Sequence, residues 1–172
     1  MNRRHLMAGA GLVLPALASA SAWAQGRGRE YETQYSTEVR AAATASLETS
    51  RVAAERTRHE SIKRFAEFEI AEQQTLLEVV GMLGEAQDSV APPAQPKTDQ
   101  KMAVQRLREA EEGDFDRAYL DLQTQGHQQL LAIQERYLQR GKDPASRAVA
   151  MLARGHIKEH LTQIDLLKRS LG

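Results

Sequence analysis

The stretch GDFDRAYLDLQTQGHQQLL, residues 113–131, decides the fold class, because its apolar residues recur at the spacing of an α-helix. Leu120, His127 and Leu131 lie along one line, and Phe115 lies beside it. Apolar residues at steps of three and four form the core-facing stripe of an amphipathic helix. The imidazole of His127 stands in the middle of that stripe. The stretch therefore predicts a core helix that carries a buried polar group.

Glycine and proline divide the rest of the chain into further helices. Gly113 is predicted to end a short helix, and Asp114 to be the N-cap of the helix that follows. Gly141, Asp143 and Pro144 form a stop-start signal, with Asp as N-cap and Pro at the first helical position. The predicted elements are helix A at about 30–57, helix B at about 60–87, a short helix at about 100–112, helix C at about 114–140 and helix D at about 144–171.

The lengths of the connections predict the topology. The A–B and C–D connections are short, so each pair is an antiparallel hairpin. The B–C connection is about 26 residues long, contains DSVAPPAQPKT at 88–98 and can cross the bundle. Two hairpins joined by one long crossover have the connectivity of ferritin-like bundles. The chain is therefore predicted to be all-α: a ferritin-like up-down four-helix bundle over 35–172, with a short helix in its long crossover.

The first 24 residues have the pattern of a secretory signal peptide. A basic start precedes an apolar middle at 12–18 and an Ala-Trp-Ala ending, so cleavage is predicted after Ala24. The apolar run is too short to span a bilayer. Residues 25–34 are predicted to be a polar leader. These features predict a periplasmic protein.

The adjacent arginines leave the export route open. RRHLM, residues 3–7, matches the twin-arginine pattern of two arginines, any residue and two apolar residues. An ordinary secretory signal whose two positive charges are both arginine fits the same residues equally well.

Composition excludes several kinds of site. The chain has no cysteine, which rules out disulfides and thiolate metal ligands. It has 23 basic and 23 acidic residues, and removal of Arg3 and Arg4 with the signal leaves 21 basic against 23 acidic. The chain has no basic surplus of the kind that indicates nucleic-acid binding. No later segment has the length and hydropathy of a membrane span. A protein partner and the oligomeric state are left open.

Ionisable residues interrupt the apolar stripes at matching depths. Glu48 and Glu69 lie about ten residues either side of the A–B turn, so the hairpin brings them level. His127 lies about fifteen residues before the C–D turn, and His156 and His160 lie about fourteen and eighteen after it. At 1.5 Å per residue, the imidazoles fall within about one turn of each other.

Carboxylates and imidazoles that converge in a bundle core have two interpretations besides exposure to solvent. They can bind a metal ion such as iron, manganese, zinc or copper, as in di-metal carboxylate bundles, or they can hydrogen-bond each other. The chain lacks the Glu-x-x-His pair of the diagnostic metal sites, which favours the metal-free cluster. The candidate ligands are Glu48, Glu69, Glu72, His127 and His160, with His156 as an alternate.

Several motifs resemble the bacterial exported family known as domain of unknown function 4142. The resemblance covers about residues 35–168. Its members have a signal peptide, a ferritin-like helical bundle and no established activity, so the resemblance implies the same here. The residues that carry it are FDRAY at 115–119, His127, the pair His160-Leu161, Glu48 and the pair Phe65-Ala66.

The chain departs from that family after Phe65. The family usually has Asp-His seven and eight residues further on, where this chain has Glu72 and Gln73. Glutamine is a poor ligand for transition metals. This difference weakens a metal site that uses the missing histidine and favours hydrogen bonding.

The leading interpretation is a non-enzymatic exported bundle of unknown molecular role with a Glu/His cluster in its core. A periplasmic metal-binding or redox protein that uses the same side chains is the first alternative. A helical interaction module of the cell envelope is the second.

Overall fold

The computed structural model describes residues 16–86 and 95–172, and these form five α-helices and no strand. Residues 1–15, which include most of the predicted signal peptide and the twin-arginine pattern, lie outside the described residues, as do residues 87–94. The all-α prediction is confirmed. The helices are α1 (Ala16–Arg56), α2 (Glu60–Ala86), α3 (Thr98–Glu109), α4 (Glu112–Arg140) and α5 (Pro144–Ser170).

Contacts between the helices confirm the ferritin-like topology. Tyr35 pairs with Gln134, and Ser50 with Tyr119, so α4 runs antiparallel to α1. The short turns make α2 antiparallel to α1 and α5 antiparallel to α4. As a result α2 and α4 are parallel, which requires the chain between them to cross the length of the bundle. Helix α3 lies in that crossover and packs against α1 and α4.

Two apolar clusters fill the bundle. One is centred on Ile62, Phe65 and Leu120, at the end where α1 finishes. The other, centred on Val80 and Leu130, lies at the opposite end. Each of the four long helices contributes to both clusters and passes through a polar layer between them. None of the helices in the described residues is apolar over a length that would cross a bilayer.

Helix α1 extends further toward the N-terminus than predicted. It begins at Ala16 rather than near residue 30, so residues 25–34 are helical. Within this segment Tyr31 packs on the end of α4, where its hydroxyl donates a hydrogen bond to the Arg136 carbonyl at 3.1 Å. Helix-forming residues on both sides carry the helix through the two glycines in this segment.

The α4–α5 turn confirms the predicted cap and changes the role of its glycine. Asp143 accepts a hydrogen bond from the Ser146 amide at 2.7 Å, and Pro144 begins the helix. Gly141 has a φ of −63°, which any residue adopts. A Cβ atom at Gly141 would overlap the ring of Tyr137. Glycine is therefore required here because it lacks a side chain, and not because of its backbone conformation.

The α3–α4 junction lies a few residues earlier than predicted. Helix α3 ends at Glu109, and α4 begins at Glu112 with Glu111 as its N-cap. Gly113 and Asp114 are therefore inside the first turn of α4, and the predicted Asp114 cap is wrong. The break is made by extended backbone at Ala110 and Glu111, with ψ of 141° and 148°.

Arg56 explains how α3 ends without a glycine. Its guanidinium donates hydrogen bonds to the carbonyls of Leu107, Arg108 and Ala110 at 2.8–2.9 Å. The same group lies 4.3 Å from the centre of the Phe115 ring. The Leu107 carbonyl also accepts from the Ala110 amide at 3.3 Å, and the guanidinium supplies the donors that a helix end otherwise lacks. Arg56 thereby fastens the crossover helix to α1 and α4.

Arg56→Lys is expected to loosen α3, because an ammonium cannot reproduce the planar fork that reaches three carbonyls. The loss should be about 1–2 kcal/mol of unfolding free energy. Urea denaturation measures this loss, and hydrogen exchange should show faster exchange of the α3 amides. Arg51→Lys, at an exposed position of α1, is the control. Unchanged α3 exchange in Arg56→Lys would contradict the assigned role.

Candidate metal centre

Three ionisable side chains from three helices meet in the polar layer. Glu69 comes from α2, His127 from α4 and His160 from α5. Glu69 Oε1 lies 2.5 Å from His160 Nδ1 and 3.1 Å from His127 Nε2. The two imidazole nitrogens are 3.2 Å apart. One oxygen and two nitrogens therefore converge on a single point. The depth of His127 and His160 in the second hairpin predicts the contact between the two imidazoles.

The three side chains are almost completely removed from solvent. Glu69 is 0% exposed, His127 1% and His160 9%. The Phe65 ring packs edge-on against His160, with ring centres 5.7 Å apart. In such an environment an ionised carboxylate needs hydrogen bonds or a bound cation to be stable.

Further hydrogen bonds orient the ligating atoms. His127 Nδ1 lies 2.8 Å from the backbone carbonyl oxygen of Gln123, which can only accept, so Nδ1 carries the proton and Nε2 faces Glu69. Glu69 Oε2 lies 3.1 Å from the Ser46 hydroxyl and accepts a hydrogen bond from Gln73 Nε2 at 3.1 Å. Oε1 is left for the two imidazoles.

A polar network continues from Glu69 toward α1. Gln123 Oε1 lies 2.9 Å from the Ser46 hydroxyl, and Gln123 Nε2 donates to Thr49 and Ser50 at 2.9 Å each. Ser50 in turn lies 3.1 Å from the Tyr119 hydroxyl. Because each group is held by another, the network restrains Ser46 and the backbone carbonyl that orients His127.

The charges in the layer favour a cation among the three atoms. Burial by itself would raise the pKa of Glu69, but hydrogen bonds from His127 and His160 and the charge of the imidazoles hold that pKa well below its ordinary value. Burial would lower the pKa of His160, but the hydrogen bond to Glu69 and the charges of Glu69, Glu72 and Glu159 raise it. Glu69 is thus ionised, and positive charge is stabilised beside it.

A single proton shared by the two imidazoles satisfies this arrangement poorly. With His127 neutral, its Nε2 lone pair faces Glu69 Oε1, which also bears lone pairs. A proton on His160 Nδ1 must then serve both Glu69 and His127. If the proton is placed on His127 Nε2 instead, the lone pair of His160 Nδ1 faces the carboxylate at 2.5 Å. In either placement one proton serves two acceptor atoms.

The other predicted ligands lie outside this group. Glu72 is next to it, with Oε2 3.4 Å from His160 Nε2, and its Oε1 lies 3.7 Å from His156 Nδ1 near the surface. Glu48 points away to α3, where its carboxylate lies 3.9 Å from Arg108. Among the described residues, Glu69, His127 and His160 are the group of three ligand side chains whose donor atoms all lie within 4.8 Å of one another.

Sequence reasoning missed two residues of the layer. Neither Ser46 nor Gln123 is among the predicted candidates, although they are only 5% and 1% exposed. Gln123 stands one turn before His127, and Ser46, Thr49 and Ser50 share one face of α1. A polar face at helical spacing opposite a buried histidine was the available signal.

The fold and the layer together define a ferritin-like helical bundle with a buried Glu/His cluster. The family model described as "Domain of unknown function (DUF4142)" matches residues 17–167. The chain belongs to this family, as its motifs predict. Comparison with curated protein sequences gives no significant match.

A solved structure supports the fold. The chain is similar to a structure described as a DUF305 fragment from Deinococcus radiodurans, with a TM-score of 0.71 and 15% sequence identity. The similarity covers 81% of this chain and 96% of the fragment. At this identity the likeness concerns the helical fold alone.

Proposed function

We propose that this protein is an exported metal-binding bundle that holds one divalent transition-metal ion with Glu69 Oε1, His127 Nε2 and His160 Nδ1. The observation that carries the proposal is the convergence of these three atoms, whose mutual distances are 2.5, 3.1 and 3.2 Å. A divalent cation is bound by all three lone pairs at once, which one proton cannot do equally well.

The separations of the donor atoms support this assignment. With metal–nitrogen bonds of about 2.0–2.1 Å, neighbouring ligands of a tetrahedral site are about 3.3 Å apart. Two of the three separations already have about this length, and the contact between Glu69 and His160 has to open by several tenths of an ångström. At this contact, between Glu69 Oε1 and His160 Nδ1, the carboxylate already stabilises positive charge.

The surroundings of the donor atoms also fit a metal site. Ligating histidines usually donate their other ring N–H to a carbonyl or carboxylate. His127 does so to the Gln123 carbonyl, and His160 Nε2 faces Glu72. Gln73 Oε1 is buried and has no hydrogen-bond partner among the described residues. A water molecule bound to the metal ion would donate a hydrogen bond to this oxygen.

Gln73 therefore has another role than the histidine that the family usually has at this position. Its amide nitrogen orients Glu69, so its poor quality as a ligand does not weaken a site built from Glu69 and two histidines. Two imidazoles and one carboxylate favour zinc, copper, iron or nickel over magnesium and calcium.

Metal binding is tested on protein stripped with a chelator and then titrated with Zn²⁺, Cu²⁺, Fe²⁺ or Mn²⁺. We expect one equivalent of at least one of these ions to bind and to raise the melting temperature, because an ion that binds only the folded state stabilises it. His59→Gln, a histidine outside the cluster, should behave like the wild type. If none of the ions binds or changes the melting temperature, the proposal fails.

Export is a separate part of the proposal and rests on the N-terminal sequence pattern. A reporter fused after residue 30 should reach the periplasm. Deletion of the twin-arginine translocon distinguishes the two export routes, because only a twin-arginine signal depends on it. Retention of the fusion in the cytoplasm of wild-type cells would contradict export by either route.

A further inference from the structure

His160 is the ligand through which the buried site meets the solvent. It is 9% exposed, whereas Glu69 and His127 are 0% and 1% exposed. Its two nitrogens face opposite ways: Nδ1 points to Glu69, and Nε2 lies 3.4 Å from Glu72 Oε2. The same imidazole therefore borders both the buried site and an outer carboxylate.

The outer carboxylate is itself paired with a second histidine. Glu72 Oε1 lies 3.7 Å from His156 Nδ1, and the two side chains are 31% and 59% exposed. His156 stands one turn before His160 on α5, so Glu72 extends across two consecutive turns. A carboxylate and an imidazole at this spacing, open to water, are ligands for the same class of ion as the buried set.

We propose that Glu72 and His156 form an outer loading site, which captures a divalent transition-metal ion from solution and passes it inward past His160. This inference rests on the proposed function, because it concerns how the buried site is filled. It assigns Glu72 and His156 a kinetic role instead of a place in the final ligand set.

The opposite side of the layer does not offer an equivalent route. A pocket of about 210 Å³ lies between α1, α3 and α4, and its inner wall includes Ser46 and Gln123. The polar atoms of these two side chains are hydrogen-bonded to each other and to their neighbours. An ion entering there would have to break this network, whereas on the α2–α5 side it meets the ligands Glu72 and His156 first.

The side chains around the outer site also suit a cation. Glu159, next to His160 on α5, contributes negative charge to the position of His160. Negative charge at the mouth of a site raises the local concentration of cations and the rate of their association. Partial exposure keeps binding at Glu72 and His156 weak enough for the ion to move on.

The test is stopped-flow mixing of chelator-stripped full-length protein with Zn²⁺ in the presence of a fluorescent zinc indicator. In His156→Gln, uptake should be about tenfold slower. Release to an excess of chelator should slow by the same factor, because both directions use one path, so the Kd and the one-ion stoichiometry should not change. Glu72→Gln/His156→Gln should be at least as slow.

The matched control is Glu78→Gln/His59→Gln, which makes the same two kinds of substitution at an exposed glutamate of α2 and at a histidine outside the site. It should load at the wild-type rate. If His156→Gln also loads at the wild-type rate, or if the wild type holds a second Zn²⁺ that His156→Gln loses, the loading site is refuted while the buried site stands. If the wild type takes up no metal, the proposed function itself fails.

Discussion

Glu69→Gln is expected to lower the affinity for Zn²⁺ by more than about 100-fold, which exceeds the usual effect of removing a group that only supports a ligand. The amide has nearly the shape of the carboxylate, so the packing of α2 is kept. However, the variant lacks the negative charge and the oxygen on which both imidazoles converge. Competition with a chromophoric chelator measures the Kd.

Two features keep this result interpretable. Glu67→Gln removes the same charge from an exposed position of α2 and should leave the Kd unchanged. Glu69→Gln itself should fold, which far-UV circular dichroism checks, so a loss of affinity cannot be attributed to unfolding. Wild-type affinity in a folded Glu69→Gln protein would exclude Glu69 as a ligand.

His127→Leu should destabilise the metal-free protein by about 1–3 kcal/mol, the usual cost of leaving buried polar groups without a hydrogen-bond partner. The substitution removes the side-chain donor of the Gln123 carbonyl, and it removes the nitrogen that accepts from His160 Nδ1 beside the fully buried Glu69 carboxylate. Urea denaturation in the presence of a chelator measures the unfolding free energy without a contribution from bound metal.

The triple variant Glu69→Leu/His127→Leu/His160→Leu should recover most of that loss. Replacing a complete buried ionic group with apolar side chains of similar size is often neutral or stabilising, and leucine would join the apolar clusters on either side. If the triple variant is less stable than His127→Leu, the cluster contributes to folding by itself, and stability alone explains its presence.

Much of the architecture was predictable because its signals are local. Glycine and proline mark the ends of the hairpins, and the lengths of the connections decide which helices are parallel. The closeness of His127 and His160 followed from their place in apolar stripes and their depth in the second hairpin, whereas the turns do not set Glu69 level with them. The number of residues between a side chain and its turn, at 1.5 Å rise per residue, gives the depth of that side chain in the hairpin. The histidine pair therefore needed no tertiary information.

The orientation of α1 was not predictable in the same way. Glu48 has the right depth for the site but points to Arg108 on α3. Helix α1 packs against α2, α3 and α4 and buries small residues on most of its circumference, including Ala43, Ser46 and Ala53. A helix with so little contrast between its faces has no stripe that identifies which side meets the centre of the bundle.

The polar layer also determines how the two hairpins are aligned along the bundle axis. Glu69 belongs to the first hairpin, and both histidines belong to the second, so the cluster is a contact between hairpins. Apolar contacts are non-directional, so the two apolar clusters specify this alignment less sharply than hydrogen bonds do. A slip of one turn would move Glu69 by about 5.4 Å and leave its buried oxygen Oε1 without the two imidazoles. The cluster thus helps to select one register between two hairpins that only a long crossover joins along the chain.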